Sequence, residues 1–296
     1  MTYATPERAF CDADSHIMEL PNFLIEYADP NIRDQIPPVS YSASLVTDEE
    51  VEEIITNGGQ HTTEHVEAQI ALGDQPIASS KEIQALGAFD RGDRSTAMDM
   101  LGFRKQLVFA THSVSTPFSA SRKLADDVRY GATRAHNRAM HDFCAEDKRW
   151  TNTGRTAVRD WMGGGENVRS KDMAVLHQGP ETFISIMLTR LDWVARSWSK
   201  VDQYLAELQR TPSETLRDQM AFTPYVFEDI GSLTDQSYDD IYLFSSDYPH
   251  VEGGRDPIGR FESSLGARSE TVRENFYAEN FLKIFPEARA HDSAAA

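Results

Sequence analysis

The chain has 296 residues and a formal net charge of −18, since 47 acidic side chains outnumber 29 basic ones. It is long enough to bury a substantial core, as one large domain or two small ones. Nucleic acids and anionic membranes both require a positive protein face, so the charge argues against either as a partner.

The first predicted strand runs from Ala9 to His16 and ends in acidic and imidazole side chains. Asp14 and His16 are two residues apart, so on a strand their side chains point to the same face. Carboxylate oxygen and imidazole nitrogen are ligands for catalytic divalent metals. The alternative is a structural pair, in which the aspartate caps backbone amides beside a hydrogen-bonded core histidine.

Residues 40–90 follow as a polar excursion with only weakly helical pieces. Loops of this length usually serve as lids or are disordered, so we predict a partly ordered lid over a site. Within it, His61 to His65 fits the H-x-x-E-H pattern of inverted zinc proteases. A chance match is favoured, because the pattern requires a stable helix and a later glutamate ligand.

Strand two is predicted over Gln106–Ala110, and His112 follows at its end. A long helix is predicted over Ser119–Glu146, and a second helical stripe follows it. Both have apolar residues at helical spacing. The second stripe is predicted to be buried, with Lys200, Gln203 and Glu207 in solvent. Its apolar members are Leu191, Val194, Trp198, Val201, Leu205 and Leu208.

A second apolar run ends in polar residues near the C-terminus. The strand predicted over Asp240–Ser246 leads into Asp247 and His250. This is typical of a buried parallel strand whose C-terminal end opens into an active site. Together with the end of strand one, it predicts a metal site between the first and last strands of a barrel. Otherwise Asp247 would cap the loop and His250 would order the turn at Pro249.

Alternating short strands and long helices predict an α/β fold of the TIM-barrel type. We count about five strand candidates where eight are needed, so the barrel is predicted to be incomplete in its central strands. Open strand edges need covering by a helix, a loop or another subunit. A second copy in that role would make the protein a homodimer.

The motifs at both ends of the chain resemble those of the amidohydrolase-related proteins. This branch of the metal-dependent hydrolases includes aminocarboxymuconate-semialdehyde decarboxylase and γ-resorcylate decarboxylase. The segments that carry the resemblance are Asp12–His16, Phe244–Gly254, Arg255–Glu262 and Asn275–Phe281.

This resemblance implies a TIM-barrel-like hydrolase fold with Asp14, His16 and Asp247 as metal ligands. It gives Asp247 the further role of proton acceptor and His250 a role in substrate binding or catalysis. The family's central imidazole ligand has no clear counterpart, because Lys148–Thr189 is short and largely polar. His112 and His177 are the candidates for that fourth position, and we expect weak metal binding.

Two functional hypotheses follow. The first is a metal-dependent hydrolase or non-oxidative decarboxylase that binds Zn²⁺ or Mn²⁺ and acts on a small aromatic or carboxylate-bearing molecule. The second is a shortened, catalytically inactive relative that acts as a binding protein. In either case we expect a single domain over residues 1–296. The two cysteines are too few for a disulfide framework and no secretion signal is evident, so we expect a cytoplasmic protein.

Overall fold

The structure is a computed structural model that describes residues 2–41, 44–113, 124–152, 174–177, 182–236 and 238–290. None of the helices in these ranges combines the length and the apolar character that crossing a membrane would require. The chain divides into two compact units. The first unit comprises Met1–Arg8, Asp14–Asn167 and Asp247–Asp256, and the second comprises Ala9–Ala13, Val168–Ser246 and Pro257–Ala296.

One sheet has three strands, in the order β1-β2-β3. They are β1 (Cys11–Ile17), β2 (Lys105–Ala110) and β3 (Trp150–Asn152). Strands β2 and β3 are parallel, with Leu107 opposite Thr151. All seven residues of β1 are buried, including its two aspartates and its histidine. The two strands predicted in this region are therefore confirmed, each within two residues of its predicted bounds.

The described part of the first unit contains six helices: α1 (Phe23–Tyr27), α2 (Asp48–Thr56), α3 (Thr63–Ile70), α4 (Pro76–Ser79), α5 (Arg91–Leu101) and α6 (Asp126–Cys144). Three short turns of 3₁₀ helix lie at Arg33–Gln35, Glu82–Gln84 and Val251–Gly253. Helix α6 carries the predicted apolar stripe, and its members Val128, Ala132, Ala135, Ala139 and Phe143 are all buried.

The excursion over residues 40–90 is more regular than the sequence suggested. Thr47 and Glu50 form a capping box at the start of α2, which satisfies backbone donors that would otherwise lack partners. The H-x-x-E-H pattern has a structural use here. His61 and His65 donate from Nε2 to the carbonyl oxygens of Ile83 and Gln84, each at 2.9 Å. Their stacked rings, 4.2 Å apart, thereby fix the following 3₁₀ turn.

The second unit contains two named strands, β4 (Ala174–His177) and β5 (Met220–Thr223), which pair in parallel. The strand predicted over Asp240–Ser246 is present only as an extended, buried segment with a single bridge, between Tyr242 and Phe222. It is hydrogen-bonded on both sides, because Phe222 donates to Ile241 and Ala13 donates to Phe244, each at 2.8 Å. Within the described residues neither sheet closes into a barrel.

The helices described in the second unit are α7 (Thr182–Trp198), α8 (Gln203–Ala206), α9 (Pro212–Gln219), α10 (Ile230–Gln236), α11 (Pro257–Leu265), α12 (Glu270–Glu274), α13 (Asn280–Ile284) and α14 (Glu287–Ala290). A turn of π-helix over Asn275–Glu279 joins α12 to α13. Helix α9 begins with a capping box, in which Thr211 and Glu214 hydrogen-bond to each other's backbone on either side of Pro212.

The prediction of a buried stripe from Leu191 to Leu208 is wrong. Trp198 is 56% exposed, Val201 76% and Leu208 49%. The reason is that one helix does not span the stripe. Helix α7 ends at Trp198, and Asp202 starts a separate short helix by accepting from the backbone N–H of Leu205. The buried face of α7 is instead formed by Ile184, Leu188 and Ala195.

A matched pair of substitutions tests this corrected face. Leu188 is 4% exposed, so Leu188→Ala should lower the free energy of unfolding by about 2–5 kcal/mol through lost burial and a residual cavity. Leu208→Ala removes the same atoms from an exposed site and should stay within about 0.5 kcal/mol of the wild type. Urea unfolding measures both, and equal losses would restore the original assignment.

Candidate metal centre

Two segments of the first unit bring the candidate residues together. The backbone N–H of His16 donates to the carbonyl of Tyr248 at 2.7 Å, and that of Asp247 donates to the carbonyl of Asp14 at 2.8 Å. These bonds extend β1 as a parallel pair with the 247–248 segment, bridged at Ser15 and Tyr248. The C-terminal ends of the two segments therefore lie side by side, which is where parallel α/β folds place their sites.

The side chains at these ends meet around His16. Its Nε2 lies 3.0 Å from Asp14 Oδ1 and 3.4 Å from Asp247 Oδ1. The same Oδ1 of Asp247 is hydrogen-bonded to His250 Nδ1 at 3.0 Å. The two imidazole rings stack with their centroids 4.0 Å apart. Asp14, His16 and Asp247 are all buried, and the side chain of His250 is 15% exposed.

This arrangement fits a divalent metal ion. One ligand atom from each of His16, Asp247 and His250 lies within 4.8 Å of the others. Around a tetrahedral ion with bonds of about 2.0–2.2 Å, neighbouring donor atoms are about 3.3 Å apart. The separations of 3.0 and 3.4 Å from Asp247 Oδ1 bracket that value. Nitrogen and oxygen donors in this combination suit zinc and manganese.

Asp247 has a backbone conformation that residues other than glycine seldom adopt. Its φ angle is +53°, in the left-handed region. Aspartate and asparagine tolerate this region better than other residues with a Cβ atom, yet it still costs free energy. Such strain concentrates at functional sites. Here it coincides with the carboxylate that contacts both imidazoles.

His250 is held from its other side. Its Nε2 is hydrogen-bonded to Thr111 Oγ1 at 2.8 Å, which orients the ring so that Nδ1 faces Asp247. Burial alone would lower the pKa of His250. The hydrogen bond and charge of Asp247, with the charges of Glu82 and Glu252, outweigh burial and raise this pKa above its usual value.

Glu19 anchors the loop that carries Thr111, a role that no sequence pattern indicated. Its Oε2 accepts the backbone N–H groups of Thr111 and His112, at 3.1 and 2.8 Å. Its Oε1 accepts the N–H and hydroxyl of Ser113, at 3.0 and 2.6 Å. Glu19 is 1% exposed, so these bonds replace water for a buried carboxylate. It positions the loop that in turn orients His250.

Glu19→Gln should therefore weaken both stability and the centre. The amide can offer only one oxygen to donors that now meet two, so at least one charge-assisted bond is lost. We expect a loss of about 1.5–3 kcal/mol in the free energy of unfolding. Glu52→Gln, on the exposed face of α2, is the matched control and should stay within about 0.5 kcal/mol. Urea unfolding of both would decide, and equal values would exclude an anchoring role for Glu19.

Arg94 is a second residue that sequence reasoning missed, because an arginine gives no reason to expect complete burial. Its side chain is fully buried, and Nη1 donates to the carbonyls of His16 and Gly87, at 3.0 and 3.2 Å. Its guanidinium also lies 5.3 Å from the centre of the Tyr248 ring. Arg94 thus supports the backbone of both segments that form the centre.

His112 and His177, the two residues predicted as a fourth ligand, differ in how far the structure describes them. His112 is buried in the first unit and its ring contacts Tyr41, with centroids 4.7 Å apart. Burial lowers the pKa of His112, an effect that the charge of Glu19 only partly opposes. It is outside the group formed by His16, Asp247 and His250 among the described residues. His177 ends β4, where it pairs with Thr223, but its side chain lies outside what the structure describes.

A cleft of 610 Å³ opens beside the end of β1. Glu19, Phe23, Arg91 and Asp142 are among the residues that line it. His16, Asp247 and His250 are not among its lining residues, so we regard the cleft as separate from the candidate centre.

No protein-family model matches the chain, and no curated protein matches it. Solved structures do. An amidohydrolase from Mycobacterium avium subsp. paratuberculosis superposes with a TM-score of 0.59 at 13% identity, covering 95% of this chain and 100% of that one. A 5-carboxyvanillate decarboxylase from Novosphingobium aromaticivorans, complexed with manganese and 4-hydroxy-3-methoxy-5-nitrobenzoic acid, superposes with a TM-score of 0.51 at 15% identity. That match covers 94% of this chain and 96% of the decarboxylase.

These superpositions show a shared fold. The mixed α/β architecture, its parallel strands and its unclosed sheets agree with the predicted TIM-barrel-like fold that is incomplete in its centre. The predicted resemblance is confirmed at this level: the chain has the fold of the amidohydrolase proteins.

Proposed function

We propose that the chain is a divalent-metal-dependent enzyme of the amidohydrolase family, organised as a single domain over residues 1–296 with residues 40–90 as a lid. The observation that carries this proposal is the meeting of His16, Asp247 and His250 within 4.8 Å. Asp14, hydrogen-bonded to His16, lies beside these three ligands as a further candidate donor. Three protein ligands with a further open position are the usual composition of a catalytic metal site.

In this proposal His250 supplies the imidazole ligand for which the central segment Lys148–Thr189 has no clear counterpart. The sequence-based expectation of weak metal binding is revised for that reason. His250 is fixed by Thr111 at Nε2, and such support from outside the ligand set typically contributes about 10–100-fold to affinity or activity. We propose Mn²⁺ as the ion, because the decarboxylase of the same fold was crystallised with manganese. Zn²⁺ is the second candidate for this set of donors.

The proposed reaction is non-oxidative decarboxylation of a small aromatic carboxylate. The carbon–carbon bond to the carboxylate breaks, carbon dioxide leaves, and a proton takes its place on the ring carbon. A bound divalent ion would act as a Lewis acid on substrate oxygens. Asp247 is the proton carrier in this scheme, because a carboxylate at the centre can accept a proton and return it to the substrate carbon. Hydrolysis is the second reaction that these residues could support.

The test is a screen of the manganese-loaded protein with 5-carboxyvanillate and with simple hydroxybenzoates, following carbon dioxide release. We expect turnover that depends on added metal and is lost in Asp247→Asn. A protein that binds manganese but releases no carbon dioxide from any of these compounds would contradict the decarboxylase assignment. A protein that binds neither metal nor substrate would instead support the inactive relative that the sequence left open.

A further inference from the structure

Lys81 has an ammonium group with an unusual environment. Its Nζ is shielded from solvent and has no hydrogen-bond partner among the described residues. An ammonium group removed from water without a hydrogen-bond partner is costly, and here the nearby carboxylates offset that cost only in part. Burial lowers the pKa of Lys81 to about 8, although the charges of Asp247, Glu82 and Glu252 act to raise it. The side chain is therefore mostly protonated at neutral pH.

The backbone next to Lys81 is attached directly to the loop of the candidate centre. The N–H of Glu82 donates to the carbonyl of Pro249 at 2.8 Å, and Glu82 Oε1 accepts the N–H of Val251 at 3.1 Å. Glu82 has a φ angle of +54°, a costly conformation that these two contacts hold in place. Lys81 directly precedes this attachment, so its backbone lies next to the loop that carries His250.

The opposite side of this turn is also fixed. His61 and His65 hold the carbonyls of Ile83 and Gln84, and the hydroxyl of Tyr248 donates to the carbonyl of Leu86 at 2.7 Å. Lys81 is thus presented by an anchored segment and not by a free loop. A cation preorganised in this way loses little conformational entropy when it meets an anion.

We infer that Lys81 is the residue that binds the carboxylate of the substrate beside the metal centre. The inference rests on the proposed function and adds to it a residue that determines specificity. The ammonium would gain, from an anionic ligand, the partner that it lacks among the described residues. A neutral ligand of the same shape would leave that charge buried and unpaired. The site should therefore prefer carboxylates strongly over their neutral analogues.

The experiment compares two probes that differ only in the carboxylate: 4-hydroxy-3-methoxy-5-nitrobenzoic acid and 2-methoxy-6-nitrophenol. Calorimetric titration gives the affinity of each for wild type, Lys81→Met, Lys81→Arg and the exposed control Lys200→Met. All four proteins are measured metal-free and manganese-loaded, with urea unfolding and bound manganese recorded for each. Both probes carry the same nitrophenol group, so their ratio of affinities isolates the carboxylate.

We expect the wild type to prefer the acid, and Lys81→Met to lose about 10-fold or more of its affinity for the acid with little change for the phenol. Lys81→Arg should keep the preference, and Lys200→Met should equal the wild type. Equal acid affinity in wild type and Lys81→Met, or no binding of the acid by the wild type in either metal state, would overturn the inference. Absence of bound manganese would instead contradict the proposed function, and the metal-free titrations would still decide the role of Lys81.

Discussion

Asp247→Asn is expected to reduce metal-dependent turnover by more than about 100-fold. Loss of groups that merely support metal ligands already costs about 10–100-fold, and Asp247 is itself in contact with both imidazoles. The substitution removes the negative charge that would hold the ion and the carboxyl group that would carry the proton. It should be measured as carbon dioxide release per chain at saturating manganese and 5-carboxyvanillate.

The fold should survive this change, which makes the activity result interpretable. Asparagine also tolerates the left-handed backbone that residue 247 adopts, and its N–H can still donate to Asp14. We expect the metal-free variant to unfold within about 1 kcal/mol of the metal-free wild type. A variant that is folded and retains wild-type turnover would remove Asp247 from the mechanism.

Phe244→Ala is expected to be the most destabilising single change in the second unit. Phe244 is fully buried, and its ring contacts those of Phe10, Phe276 and Tyr277, with centroids 5.8, 6.2 and 5.5 Å apart. Truncating a buried phenylalanine to alanine typically costs about 3–5 kcal/mol, because burial is lost and a cavity remains. The measurement is the free energy of unfolding from a urea titration.

Phe227→Ala is the control for the aromatic cluster. Phe227 is 72% exposed and stacks only on Tyr225, so its loss should cost at most about 1 kcal/mol. If Phe244→Ala and Phe227→Ala destabilised the protein equally, the aromatic cluster would not be the core of this unit.

The ends of the chain were predictable because their signals are local. In β1, a run of apolar residues leads into Asp14 and His16, and the same pattern precedes Asp247. Capping residues such as Thr211 likewise indicate where a helix begins, because the pattern involves only a few neighbouring residues. These patterns depend on backbone periodicity and on the cost of burying charge, both of which can be judged within a short window of sequence.

The support of the centre was not predictable, because it depends on contacts between distant residues. Glu19 and Lys81 carry charged side chains, for which a sequence gives no reason to expect burial. Arg94 is fully buried only because the carbonyls of His16 and Gly87 come together around it. The exposure of Trp198 was missed for a related reason: spacing reveals an apolar face but not whether anything packs on it.

The central claim is that His16, Asp247 and His250 bind a divalent ion. The sequence predicted His16 and Asp247 as ligands, whereas His250 is a ligand only in the site that the structure indicates. The decisive measurement is elemental analysis of bound manganese after loading and dialysis, for wild type, His250→Ala and His112→Ala. We predict a single ion per chain in the wild type and in His112→Ala, and its loss in His250→Ala. Manganese retained by His250→Ala but lost from His112→Ala, or absent from the wild type, would contradict the account.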